Sequence, residues 1–312
     1  MTLQNEDEYQ DLLSLWSDLE SGLGIILNSP DSIQEFEQRV WQYDRWLRDL
    51  LQRDPDLGLY LLFQLASNSP VGYSASHALI CAVLCHLIAL ELGLPDAERN
   101  SLVHAAMTMN ISMTALQDQL TEQTDRPDPL QQETISAHPA NSSATLSRIG
   151  VADALWLQTI EMHHDEATDK GELRAVSPVR RLARILRVVD RYAAQISPRK
   201  QREGRSATES IRSIIARSTQ PPDEVGHALV RAVGLCPPGT YVRLDSGDVA
   251  VVVRRSDQPN LPELAIVINE EGLLITPARL HRTARGSPRI KTALPATAIR
   301  QRLNHHRILK LV

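Results

Sequence analysis

Aromatic side chains are scarce, at 4% of 312 residues. A protein that reads single strands by stacking bases needs more of them. Charge of one sign is lacking as well: 33 lysines and arginines stand against 38 acids, a net charge of -5, so no general pull toward nucleic acid is expected. Cysteine is sparse and odd in number, at positions 81, 85 and 236. That usage points to a reducing, cytoplasmic compartment and to no disulfide framework. The first residues, Met1 to Leu13, are acidic and polar, with neither a basic nor an apolar segment, so they do not read as a secretory signal. Long apolar runs are missing too. The longest, Ala78 to Leu94, is broken by His86 and Glu91, and no membrane span is expected, since one needs roughly 20 apolar residues.

What is present favours helix. Apolar residues make up 42% and charged residues 23%, enough for a sizeable core in one large or two modest domains. Leu12, Leu15, Trp16, Leu19 and Leu23 follow the helical period within 5–27, and Ile33, Phe36, Val40, Tyr43 and Leu47 do so within 31–53. Trp41 and Trp46 read as packing residues. The pattern predicts helix over 57–120, with breaks at Asn68-Ser69-Pro70 and Leu94-Pro95-Asp96, then a loop from Thr121 to Pro129. Further helices are predicted over 130–149, 151–166, 177–195, 206–217 and 222–233.

The texture changes at Gly234. Tyr241–Leu244 and Val249–Arg254 flank Asp245-Ser246-Gly247 as a hairpin, and strands over 264–269 and 273–276 follow, giving three to five strands in all. Residues 281–312 are basic. The expected division is an N-terminal helical segment over 1–56, a helical domain over 57–233, a small β extension over 234–280 and a basic tail. The fold class is mainly α, a helical bundle with a small β appendix.

The histidines and one aspartate carry the chemistry. His77 opens an apolar helix, His138 precedes Pro139, His163 and His164 are adjacent, and Asp190 ends Arg-Ile-Leu-Arg-Val-Val-Asp. Imidazoles and a carboxylate spread over several helices are what a bundle needs to hold divalent metal in its core. Taken singly, each is also compatible with a packing histidine, as are His86 and His104. Cys81 and Cys85 lie one helical turn apart, which can place two ligands together. Set among alanine, valine, leucine and isoleucine, they read as core thiols.

The order of these segments resembles the HD-GYP family of bacterial cyclic di-GMP phosphodiesterases, from about residue 70 to 255. Ser76-His77 with Glu91-Leu92-Gly93-Leu94 is similar to the family's first ligand helix, and Ser136-Ala137-His138-Pro139 to its middle ligand. Ile160 to Glu166 resembles the paired-histidine segment. Leu182 to Ala194 resembles the last ligand helix, Ser197-Pro198-Arg199 the loop after it, and Val233 to Leu244 the β extension. The resemblance implies an HD-type helical bundle with metal ligands at His77, His138, His163, His164 and Asp190.

The departures fall at the centre. Where the family carries Ala-Ala-Leu-Leu-His-Asp-Ile-Gly-Lys, this chain has Ala105 to Met113. Met109 replaces the histidine ligand, Asn110 the bridging aspartate and Met113 the lysine. Tyr73 stands where some members place a glutamate, and the Gly-Tyr-Pro segment is absent after the paired histidines. His104 is five residues from the lost ligand, which turns it to another helix face. A thioether serves hard metals poorly, and a neutral amide cannot bridge two cations. The expectation is one divalent transition metal (iron, zinc, manganese or nickel) or none, and no confident catalytic residue.

Arg180, Arg184, Arg187 and Arg191 share one helix face, and Arg199 follows in a loop. Arg184, Arg187 and Arg199 are candidates to receive phosphates; the alternative is a solvated basic face paired with the acidic N-terminal helices. Three functions follow. The first is a non-hydrolytic or strongly impaired member of cyclic di-GMP signalling, acting as a ligand-binding or protein-docking module. The second is a phosphohydrolase on a reduced metal site. The third is an adaptor using the β appendix and basic tail. Implied partners are cyclic di-GMP or another phosphate ester, a protein, and a second copy of the chain.

Overall fold

Helix α4, Tyr73–Leu92, is the axis of the molecule, and its composition dictates that position. Every side chain from Ser74 to Ala89 is buried, and a helix apolar on all sides must be enclosed. The computed structural model describes residues 6–66, 71–166, 171–196, 206–217 and 224–312. Within them, α4 has the length and apolarity of a membrane-crossing helix. It is instead wrapped by α1 (Glu6–Asn28), α5 (Asp96–Thr108), α9 (Pro178–Ile196) and α11 (Glu224–Val233). Gly93, in the left-handed region at φ 64°, ends it. The remaining helices are α2 (Phe36–Arg53), α3 (Pro55–Ala66), α6 (Thr114–Glu122), α7 (Pro129–Arg148), α8 (Ala154–Met162), α10 (Ala207–Arg217) and the short α12 (His305–Leu309).

Local chemistry sets the ends. Asp128 and Gln131 cap α7 reciprocally, each side chain accepting from the other's backbone N–H, with Pro129 in the first turn. Asp153 accepts from the N–H groups of Leu155 and Trp156 at the start of α8.

Three expectations need correction. Helix α2 begins at Phe36 rather than 31, because Pro30–Ser32 form a 3-10 turn and Glu35 adopts φ 50°; Ile33 still packs against the core, which preserved the apolar period. The helix predicted through 120 breaks at Met109–Met113. Thr108 Oγ1 bonds back to the His104 carbonyl at 2.7 Å, Asn110 sits at φ -104°, ψ 11°, and Ile111–Met113 form a 3-10 turn. Back-bonding threonine and a turn-prone asparagine both weaken a helix end. Helix α8 stops at Met162, so His163 and His164 stand in the turn beyond it. Trp41, expected as a packing residue, lies 46% exposed and packs its ring on His104, with centroids 5.5 Å apart. The break expected at Asn68-Ser69-Pro70 lies outside the described residues.

Strands β1 (Tyr241–Leu244), β2 (Val249–Arg254), β3 (Glu263–Ile268), β4 (Leu274–Arg282) and β5 (Ile290–Leu294) form one antiparallel sheet in the order β4-β3-β2-β1-β5. Strand β4 runs well beyond 276, and the basic stretch after 281 supplies β5 and α12. The sheet docks on α3. Gly239, at φ 89°, lies so close that an added Cβ would stand 2.8 Å from the Tyr60 carbonyl oxygen. Arg254 pairs with Asp54 at 3.2 Å, and Arg255 with Asp56.

The N-terminal helices are joined to the bundle by buried charge. Asp44 of α2 is 1% exposed, with His104 at 3.4 Å, Arg48 at 3.5 Å and Arg99 at 3.8 Å. Burial pushes its pKa up, but the His104 contact and the arginine charges outweigh that and hold it below the usual range. On α1, buried Glu20 accepts from the Ser76 hydroxyl. Asp44→Ala takes the buried carboxylate from buried Arg99, leaving it, among the described residues, only the exposed carboxylate of Asp96 at 4.0 Å, and we expect a loss of about 3 to 5 kcal/mol in urea denaturation; a loss below about 1 kcal/mol would contradict this account.

Candidate metal centre

Four segments converge on the ligands that the sequence singles out: α4 brings His77, α7 His138, the turn after α8 His163 and His164, and α9 Asp190. Their donor atoms fall into two groups, His138 with His163 and His164, and His77 with Asp190 and Cys81. Within each group all ligand atoms lie within 4.8 Å of one another.

The three-histidine group is oriented by backbone carbonyls. His138 Nδ1 lies 2.5 Å from the Ile135 oxygen, and His163 Nδ1 lies 2.5 Å from the Ile160 oxygen. A carbonyl only accepts, so each Nδ1 carries the hydrogen. Pro139 makes the first contact available. It sits inside α7 with no N–H to offer, so the residue 135 carbonyl has no helical partner at position 139. The same role is played at Ile160 by the end of α8.

With both Nδ1 atoms protonated, both Nε2 atoms present lone pairs, and these face each other at 3.3 Å. The contact cannot be a hydrogen bond unless one ring is cationic. Burial opposes that, pushing His163 down to about 3 and lowering His138 as well. His164 is exposed as a residue, yet its ring packs on His163 with centroids 4.0 Å apart, and desolvation lowers it too.

The second group centres on His77, which is 1% exposed. Its Nε2 lies 2.9 Å from Asp190 Oδ1 and 3.6 Å from Cys81 Sγ. Tyr73 packs on the ring, with its hydroxyl 3.4 Å from Nδ1, and so occupies the place of the absent glutamate as an orienting neighbour. Asp190 links the groups. Burial raises its pKa, but the hydrogen bond from His77 and the nearby imidazoles of His163 and His164 hold it well below the usual carboxylate range. Cys81 was legible only as a core thiol. Its position one turn after His77 was the available signal.

The other candidates separate. Arg184 and Arg187 are each 4% exposed, which excludes a solvated face for them. Arg184 donates to the Gly171 carbonyl at 3.0 Å. Arg187 lies within electrostatic reach of Asp165, Glu166 and His164. Arg181 pairs with Glu98 of α5 at 2.8 Å. Arg199 lies outside the described residues. His104 stays with Asp44, away from both groups. Met109 is buried in the core, Asn110 and Met113 are partly buried, and their turn meets α7 where Ser112 donates to the His138 carbonyl at 3.3 Å. A cleft of about 1050 Å³ lined by Tyr9, Gln64, Tyr241, Arg302 and His305 shares no residue with either group.

Residues 61–223, just over half of the chain, match the HD domain. The chain belongs to the HD-domain family. It is also similar to a cyclic di-GMP phosphodiesterase of Pseudomonas aeruginosa, with 28% identity over 185 residues, covering 59% of this chain and 45% of that protein. The chain thus spans less than half the length of that relative. No solved structure matches. The HD-GYP resemblance and the mainly α architecture read from the sequence agree with these findings.

HD domains are typically metal-dependent, and the donor set in this HD-domain chain fits a divalent cation. Two neutral imidazole lone pairs brought to 3.3 Å repel each other unless a positive charge is placed against them. Carbonyl-fixed Nδ1–H groups are the usual device for presenting Nε2 to a metal.

Two outcomes follow. Pro139→Ala supplies an N–H that competes for the Ile135 carbonyl, so zinc affinity should fall about 10-fold or more while circular dichroism stays unchanged; unchanged affinity would count against carbonyl orientation. In chelator-treated protein, His163 has a folded pKa near 3 and an ordinary value of 6.5. The unfolded chain therefore takes up the proton first, and His163 contributes full stability above 6.5, lost as pH falls toward 3. The melting temperature should drop through that window, and His163→Gln should flatten the slope.

Proposed function

We propose that this HD-domain chain serves cyclic di-GMP signalling by binding the dinucleotide, or a related phosphate ester, at a metal site too reduced for ordinary hydrolysis. The observation that supports this most is the pairing of an assembled ligand set with Asn110 at the position the resemblance gives to the bridging carboxylate. His138, His163 and His164 would hold one divalent transition metal, with the Asp190 carboxylate alongside. A bound metal there supplies Lewis-acid polarisation of a phosphoryl oxygen.

The chain's own residues account for the weakness. Asn110 can neither accept a proton from an attacking water nor offset a second cation. Met109 contributes a thioether to the apolar core and no imidazole. Binding is less affected, because Arg187 and Arg191 lie close enough to His164 to lower its pKa and would present positive charge to a phosphate.

The test is reversion. Met109→His together with Asn110→Asp should raise cyclic di-GMP turnover about 10²- to 10³-fold, the size of effect one electrostatic group exerts on such a step, with little change in the binding isotherm. Native turnover already equal to that of the reverted chain would exclude impairment. It would favour the second reading, a working phosphohydrolase on a reduced site. That reading draws its support from the complete assembly of His77, His138, His163, His164 and Asp190, and requires His163→Ala to abolish activity.

A further inference from the structure

We infer that Cys81 is a metal ligand, and that His77, Cys81 and Asp190 form a thiolate-containing site for a borderline-soft divalent cation such as zinc or cobalt. The inference rests on the reading that this pocket takes metal, and it deepens that reading by naming a second position within it and the class of cation that position selects.

Geometry comes first. Residues 77 and 81 occupy successive turns of one face of α4, and α9 supplies Asp190 from across the core. The three donor atoms lie within 4.8 Å of one another, with Nε2 to Oδ1 at 2.9 Å and Nε2 to Sγ at 3.6 Å. These separations suit ligands of a single ion, since tetrahedral sites with metal–ligand bonds of about 2.0 to 2.3 Å place their donors closer than about 4 Å.

The proton count comes second. His77 Nε2 faces a carboxylate and a sulfur at once. If it carries a hydrogen, that hydrogen goes to Asp190, and the sulfur gains nothing from its place. If it carries none, the carboxylate meets a lone pair. One ion accepts from all three atoms.

Charge decides the cation. Cys81 and His77 are almost fully enclosed, and Asp190 is 20% exposed, so an uncompensated charge in this pocket is costly. A divalent ion with one thiolate, one carboxylate and a neutral imidazole is electroneutral. The same ion on three neutral imidazoles carries its full charge. The thiolate also restores the negative charge that Asn110 removes from the centre, while shifting preference away from magnesium and manganese toward zinc and cobalt. The open side at Asp190 leaves room for a fourth, solvent-derived ligand, as in zinc sites with three protein ligands.

Cobalt(II) titrated into the full chain after chelator treatment and dialysis reads this out, because cobalt bound to a thiolate absorbs in the near ultraviolet by charge transfer. We expect the band to form with a single equivalent. It should be absent in Cys81→Ser and retained in His163→Ala. The chain has three cysteines, all free, so the Cys85→Ser, Cys236→Ser double variant should keep the band with Cys81 as the sole thiol, which tests the assignment even if Cys81→Ser fails to fold. Cobalt bound without the band, or a band lost in the double variant, overturns the inference and leaves the three-histidine reading standing. A band whose cobalt stoichiometry is indifferent to His163→Ala upholds Cys81 and removes the three-histidine metal. Absence of any bound cobalt overturns both.

Discussion

A largely buried carboxylate at the junction of three helices is the constraint from which the rest of this structure follows. Asp190 must be compensated where it sits, because an ion taken out of water costs several kcal/mol unless it is paired and hydrogen-bonded. The compensation comes from two directions. His77 reaches it from α4 at 2.9 Å, and His163 and His164 bring their imidazoles from the turn after α8. Helices α4, α8 and α9 are therefore tied to each other through one acidic side chain. Helix α4, with no polar face to show to water, has no other place to be.

Helix irregularities and ligand placement are the same facts seen twice. Pro139 leaves a carbonyl free in α7, and that carbonyl fixes the tautomer of His138. The stop of α8 at Met162 frees Ile160 to do the same for His163. The interruption at Met109–Met113 brings Ser112 against the His138 carbonyl. Each break sacrifices regular helix where a ligand needs a backbone partner, a cost that local hydrogen bonds repay.

Much of this was legible in the sequence, and the remainder was hidden for physical reasons. Helix periods placed the bundle because its apolar residues recur at three and four. The ligands could be found because His77, His138, His163, His164 and Asp190 stand in a distinctive order. The break at 109–113 was hidden because Met109 and Ile111 are buried and continue the apolar period through a non-helical turn. Cys81 was hidden by its neighbours: a thiol among valines and leucines looks the same in a one-dimensional reading whether or not a carboxylate from another helix lies beside it. Arg184 and Arg187 read equally as phosphate-receiving groups or as solvated charge, and only the packing of α9 shows them enclosed. In each case the missing information is which segment lies across the core.

The distribution of what survives and what is lost follows from the same packing. His77 with Asp190 joins α4 to α9 through a hydrogen bond at 2.9 Å, so this pair holds helices in place whatever chemistry it supports, whereas His138 and His163 meet across α7 and the end of α8 only as facing acceptors. Replacing His77 or Asp190 leaves the other without its hydrogen-bond partner, which is costly for the fold itself. Met109 and Asn110 are in a different position. They lie in a turn where an apolar side chain is welcome in the core, and a partly buried amide costs less than a partly buried carboxylate would without a cation to face. Stability alone would therefore favour keeping His77 and Asp190 and would tolerate a thioether and an amide at Met109 and Asn110. A set of imidazoles and a carboxylate brought together in this way is for that reason stronger testimony about architecture than about turnover.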